Sequence, residues 1–250
     1  MGIKSNSMGR KKKNPKYDAE KVMRQFTNCV VDAYVSGKNN SLSGSLRQIS
    51  DQFGITLMKT RKILITAGVY RTKISAQVFM LKESGMDISE IMKFTGLSRS
   101  SVHSYLPYTK IIYNVDELSL YAERCKTYRE RKKAVEKLQM LNAEVSEKMR
   151  KQLWDTIELF EGYPFMTVKG LKFRYVVNGN EIMINRKKKA ITRSSVDMAV
   201  KKVIELNGEI AGPKKLGVFG SSYLYSIFLR FGLIREGDMD EHLSDLDNAQ

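Results

Sequence analysis

Between Asp18 and Tyr34 the apolar residues Val22, Phe26, Cys29, Val30 and Tyr34 recur at spacings of three and four, the pattern of one helix face. The polar segment SGKNNSLSG at 36–44 reads as a loop. Short helical segments punctuated by Gly54, Gly68, Gly85 and Gly96 then continue to Pro107, with no alternating strand pattern among them. A stop-rich stretch at 107–114 leads into a polar run from Val115 to about Phe160 that reads as one long helix or two. Its stripe runs Leu118, Tyr121, Cys125, Tyr128, Val135, Leu138, Leu141, Val145, Met149, with Lys132 where an apolar residue belongs. Such a stripe fits either a helix laid on its own protein or a coiled coil that pairs two chains as a homodimer.

After Gly162 and Pro164 the period shortens to two. Phe173, Tyr175 and Val177 alternate with Arg174 and Val176, Asn178-Gly179 offers the residues of a tight turn, and EIMIN supplies a returning strand, which together predict a β-hairpin. Ser194 with Asp197 three residues on predicts a helix start, closed by Gly208, and a last apolar helix is predicted from Ser222 to Phe231.

The segment DISEIMKFTGLSRSSVHSYLP at 87–107 carries the strongest local signal. Asp87 with Glu90 forms a capping box, Gly96 suits a left-handed turn residue, and Ser98 caps a second helix that Pro107 ends. This is a helix-turn-helix pattern: Ile91, Leu97, Val102 and Tyr105 are expected inward, Arg99, Ser100, His103 and Ser104 outward. A basic, small-residue surface behind the Ser98 cap suits a major groove, where Arg reaches guanine and Ser meets base edge or phosphate. Offset by 42 residues, LRQISDQFGITLMKTRKIL at 46–64 repeats the pattern: Gly54 stands for Gly96, Ile49 and Ile55 for Ile91 and Leu97, and Thr56 for the Ser98 cap. Here Leu57, Met58, Lys59, Arg61 and Lys62 are expected outward, a surface better suited to phosphates, and Thr60 takes the inward aliphatic position. The bland alternatives are a structural helix pair and an ordinary basic amphipathic helix.

GLSRSSVHSYL at 96–106 resembles region 4 of bacterial sigma factors and the helix-turn-helix tails of recombinases, with Met92 departing from the family's small residue. The two copies resemble the tandem helix-turn-helix regulators of Gram-positive mobile elements. The fold expected is mainly α: tandem tri-helical helix-turn-helix units, a long charged helix, and a small α+β C-terminal module with a β-hairpin. The expected divisions are a disordered basic arm at 1–16, helix-turn-helix units at 17–70 and 71–113, and a long helical linker at 114–161. An accessory module at 162–234 and a disordered acidic tail at 235–250 complete them.

Composition narrows the partners. Forty-three Lys and Arg against 27 Asp and Glu leave a formal +16 in 250 residues. Setting aside six positive charges in residues 1–16 and a net five negative charges in residues 235–250 leaves about +15 on the remainder, which points to a polyanion. The basic arm reads as a solvated segment or as one that follows DNA phosphates, and not as a signal or transit peptide. No apolar run approaches the roughly 20 residues of a membrane span. The two cysteines lack metal-ligand spacing, so no metal or other cofactor is expected, and the expected location is cytoplasmic, at the nucleoid.

Catalytic patterns are weak. His103 and His242 are the two histidines, too few for a tyrosine-recombinase site, and GPKKLGVFGSS at 212–222 lacks the Gly-Lys-Ser/Thr of a phosphate loop. Glu181 has no second acid beside it for a metal nuclease, and Trp154 reads as core. The function expected is a non-enzymatic, sequence-specific double-stranded DNA-binding protein, a transcriptional regulator. The alternatives are an accessory protein of a recombination, partition or restriction system, and an RNA-binding or ribosome-associated protein.

Overall fold

The computed structural model describes residues 18–37, 44–109, 117–142 and 145–235. The basic arm, the acidic tail, and most of the expected loops at 36–44 and 107–114 lie outside them. The architecture is mainly helical with a small two-sheet region near the C-terminus, as expected.

Helices α1 (Ala19–Gly37), α2 (Leu46–Phe53) and α3 (Leu57–Thr66) form the first tri-helical unit. Between α2 and α3, Gly54 takes φ +59° and its N–H bonds the Ser50 carbonyl, a conformation costly for a side chain with a Cβ. The Thr56 hydroxyl then accepts from Lys59 N, restarting the chain as a new helix. The second unit, α4 (Lys73–Glu83), α5 (Ile88–Thr95) and α6 (Arg99–Tyr105), repeats this device. Gly96 sits at φ +71° with its N–H on the Met92 carbonyl, and Ser98 caps from Ser101 N. Asp87 and Glu90 close the expected capping box.

The polar run after Val115 divides into α7 (Leu118–Gln139) and α8 (Glu147–Leu159). With 22 residues, α7 is about 33 Å long and reaches from one core into another. Leu118, Tyr121, Cys125 and Tyr128 pack with α1–α3, whereas Val135 and Leu138 pack with the C-terminal half. Phe26 stacks on Tyr121 at 4.3 Å between centroids and meets Phe53 edge-on at 5.7 Å, and Phe53 in turn contacts Tyr128. The apolar stripe is therefore covered within the chain. Lys132, the interruption in that stripe, pairs with Asp32 of α1 at 2.7 Å, and the Tyr128 hydroxyl donates to the same carboxylate at 2.6 Å. The segment expected to be a linker is thus core to both halves, and its stripe is not free to join two chains. Cys29 and Cys125 meet across the same seam as free, buried thiols. A hydrogen bond from Cys125, helped by Arg129 against the effect of burial, lowers the Cys29 thiol to about 7.

The expected hairpin is present in the C-terminal half, within a larger set of strands. Strands β1 (Phe165–Met166) and β2 (Lys172–Phe173) make one antiparallel pair, and β3 (Tyr175–Asn178), β4 (Glu181–Ile184) and β5 (Ile191–Thr192) a second sheet in that order. Phe173 thus belongs to a different sheet from Tyr175. Asn178 pairs with Glu181, so the turn is Gly179-Asn180, one residue later than expected, with Gly179 at φ +57°. Thr192, not Ser194, caps α9 (Arg193–Glu205), and the strand runs directly into the helix. A 3-10 turn (Pro213–Leu216) precedes α10 (Ser221–Arg230), whose start has no side-chain cap. Trp154 is buried in the core of this half.

The cores are unequal. Among the described residues of the second unit, Val78, Ile91 and Val102 are the fully buried apolar ones, with Leu81, Met92, Leu97 and Tyr105 partly covered around them. We predict that Ile91→Ala, at about 2–5 kcal/mol for a buried aliphatic truncation, releases hydrogen-exchange protection across α4–α6 while α7–α10 keep theirs. A second prediction concerns Asp32. Against the desolvation that would raise it, hydrogen bonds from Lys132 and Tyr128 hold this carboxyl below its ordinary value. Its contribution is fully present above the unfolded pKa of about 3.9 and disappears as pH falls through the lower folded value. Urea unfolding should show Asp32→Asn less stable than the parent by about 1 kcal/mol from pH 5 upward, with the difference shrinking below about pH 4.

Candidate nucleic-acid interface

The two helix-turn-helix units present their second helices, α3 and α6, with unequal exposure. On α6, Ser98, Arg99, Ser100 and His103 are exposed as expected, and Val102 is fully buried beneath them. The side chains of the first turn are ordered from below by the cap: the Ser98 hydroxyl lies 3.1 Å from that of Ser100 and 2.9 Å from that of Ser101. Arg99 takes part in none of the ion pairs among the described residues, so its guanidinium is available to a ligand. On α3, Thr56, Leu57 and Met58 are exposed at the first turn. Thr60 takes the inward position, fully buried, and its hydroxyl is satisfied by the Thr56 carbonyl at 3.1 Å.

Four of the residues expected to face outward do not. Ser104 is buried, donating to the Ser101 carbonyl at 2.8 Å. Arg61, half-buried, donates to the Tyr105 hydroxyl at 3.2 Å and to Ser104 Oγ at 3.4 Å, with its guanidinium 4.6 Å over the Tyr105 ring. Lys62 donates to the His103 carbonyl at 2.9 Å and lies 4.7 Å over the Tyr108 ring, and burial lowers its ammonium below the ordinary value. Lys59 pairs with Glu117 at 3.3 Å and with the Tyr121 hydroxyl, tying α3 to the start of α7. The physical reason is shared. A half-buried cation loses hydration and recovers hydrogen bonds from the protein, and α6 and α7 supply the ones observed, leaving Arg61 Nε without a partner.

These contacts bring the two second helices together, α3 against α6. Under the 42-residue offset, Arg61 corresponds to His103, Lys62 to Ser104, and Thr66 to Tyr108. The bonds observed, Arg61 to Ser104, Lys62 to His103, and Tyr108 N to Thr66 Oγ1 at 2.9 Å, are thus nearly reciprocal. The units face one another across an approximate two-fold relation within a single chain. Helix α4, about 16 Å long for its 11 residues, packs with α5 and α6. Packed helices lie about 8–10 Å apart, whereas successive major grooves repeat about every 34 Å. The two helices therefore cannot occupy neighbouring major grooves in this arrangement.

A further set of residues had no signal in the sequence beyond being polar on a helix. The outer face of α2 docks on the C-terminal half: Gln48 donates to the Pro164 carbonyl, Asp51 pairs with Lys172, and Gln52 accepts from the Tyr163 hydroxyl at 3.3 Å. That half presents the exposed basic run Arg186 to Lys189 between β4 and β5. Glu181 is exposed on β4, with Thr192 opposite it. No group of three or more His, Cys, Asp or Glu side chains among the described residues is arranged to hold a metal ion, and none of their helices is long and apolar enough to cross a membrane. No protein-family model matches this chain, and neither a curated protein nor a solved structure does.

Proposed function

We propose that this chain is a sequence-specific double-stranded DNA-binding protein that acts as a transcriptional regulator, with α6 as its reading helix. The observation that carries the reading is the exposed first turn of α6, where Ser98, Arg99 and Ser100 stand clear of the protein behind a left-handed Gly96, with the His103 side chain exposed one turn on. That arrangement offers a guanidinium fork and small hydroxyls to base edges at a helix N-terminus, the end that enters a major groove in helix-turn-helix complexes. Helix α3 supports rather than reads: Arg61 and Lys62 fix α6, and Lys59 fixes α7. Thr56, Leu57 and Met58 remain for backbone or thymine-methyl contact. Phosphate attraction comes from the excess positive charge, including the exposed Arg71, Lys73, Lys93 and Arg186 to Lys189.

A selection of genomic duplex fragments bound by the full chain supplies the preferred site. On it, Arg99→Ala should cost about 1–3 kcal/mol and relax preference at one or two base pairs. Lys62→Ala should instead lower the protein's own unfolding midpoint, because it removes the bond to the His103 carbonyl. An Arg99 variant with unchanged affinity and unchanged preference means that α6 is not the reader. Footprinting should show one major groove protected per chain, and protection of two successive grooves by one chain contradicts the α3–α6 packing.

Salt provides the other check. With about 6–10 phosphate contacts the log affinity should fall against log salt with a slope near −5 to −9. Titrations of duplex DNA and folded RNA at matched salt separate the partners: a slope of −1 or −2 removes the polyanion reading, and consistently tighter RNA binding replaces DNA with RNA.

A further inference from the structure

A cleft of about 530 Å³ opens where the first unit meets the C-terminal half. Its walls come from the end of α1, from Gln52 of α2, from the second half of α7, and from the end of α10 with the residues after it. This size falls in the range of small-molecule sites. Lys132, Arg230 and Arg235 contribute positive charge to the lining, against Glu136 alone. Asp32 already holds Lys132, which leaves the two arginines as the cleft cations without a carboxylate partner among the described residues. Arg230 is fixed in place. Its Nε donates to the Tyr163 hydroxyl at 3.1 Å, and its guanidinium lies 5.7 Å over Phe160 and 5.5 Å over Tyr163. None of the ion pairs among the described residues involves Arg230 or Arg235. Val135, Leu229 and Ile234 add apolar surface beside this charge.

We propose that this cleft binds a small organic anion, its carboxylate or phosphate head held by Arg230 and Arg235 and its body laid against Val135 and Ile234. A half-buried guanidinium already oriented by an aromatic pair forms a two-pronged anion contact at little cost in side-chain ordering. The site is independent of the DNA-binding reading, since it uses neither α3 nor α6. The same chemistry has a second source in the chain itself, because Glu236, Asp238, Asp240 and Glu241 follow Arg235 directly in the sequence.

Calorimetric titration of the full chain with citrate and with adenosine monophosphate, at constant ionic strength, tests this. Saturable binding of at least one probe, one per chain and below 1 mM on the order expected for weak effectors, is the expected result. Arg235→Ala, at an exposed rim position, should weaken it at least tenfold, and Ser36→Trp, which fills the exposed mouth from α1, should abolish it. Both substitutions lie outside the buried cores, so a matching unfolding midpoint verifies that each variant is folded. A variant with Glu236→Gln, Asp238→Asn, Asp240→Asn and Glu241→Gln separates the sources. Binding that emerges only in that variant makes the chain's own carboxylates the resident anion, whereas equal binding in both makes it a free molecule. Failure of both probes in both backgrounds overturns the proposal, as does binding that neither Arg235→Ala nor Ser36→Trp changes.

Discussion

Lys132 occupies a position on α7 where a continuous heptad would place an aliphatic side chain, and its bond to Asp32 decides how the helix is used. In a symmetric pair of α7 helices, two such lysines would lie near one another in an apolar seam, without acids to meet them. Laid against α1, the same lysine finds Asp32, and Tyr128 completes the carboxylate's bonds. The apolar residues on either side are then free to enter separate cores. Leu118 to Tyr128 join α1–α3, and Val135 and Leu138 join α8 and α10. Arg131, between these sets, donates to the carbonyls of Leu159 and Glu161 and so satisfies the open end of α8. One helix thereby fixes the first unit, the C-terminal half and the cleft between them.

The basic residues of α3 show why charge on a helix is a poor guide to its partner. Lys59, Arg61 and Lys62 follow a well-formed cap and would suit phosphates if α3 stood alone. In the folded chain each has a protein partner: Glu117 for Lys59, Tyr105 and Ser104 for Arg61, the His103 carbonyl for Lys62. Cation–ring contacts add to all three, over Tyr121, Tyr105 and Tyr108. The first turns of both helices remain exposed, and of these only α6 carries a guanidinium outside the ion pairs among the described residues.

Local chemistry was legible from the sequence; long-range pairing was not. Gly54 and Gly96 adopt the left-handed conformation, Thr56 and Ser98 cap, and Asp87 with Glu90 forms the box, because each depends only on neighbours within four residues. The inward positions Ile49, Ile91 and Val102 also follow from helical period alone. The errors fall where a distant partner decides. Ser104 looks like an exposed hydroxyl until α3 covers it. Phe173 and Tyr175 share one alternating run, yet Phe165 recruits the first into a separate pair of strands. Thr192 overrides Ser194 as a cap because β5 delivers the chain to the helix two residues earlier. At the candidate interface, the exposure expected of Ser98, Arg99, Ser100 and His103 is observed, and that expected of Lys59, Arg61, Lys62 and Ser104 is not.

The docking of α2 places a constraint on how any signal from the C-terminal half could travel. Gln48, Asp51 and Gln52 fasten α2 to Pro164, Lys172 and Tyr163, and α2 is bound to α3 by the short turn at Gly54. The first unit, α7 and the C-terminal half thus behave as one packed body with two large cores. The unit bearing α6 is different: three fully buried side chains hold it together, and it meets the rest through the α3–α6 contact. Local stability follows buried contact, so among the described residues the exposed first turn of α6 sits on the unit with the smallest core. Reorientation of α6 against α3 needs the Arg61 and Lys62 bonds, the Tyr108–Thr66 bond and the packing of Tyr108 to rearrange, whereas reorientation of α3 needs the aromatic seam of Phe26, Phe53 and Tyr121 to open. Any movement of α6 relative to the packed body is therefore concentrated at the contact between the two helix-turn-helix units.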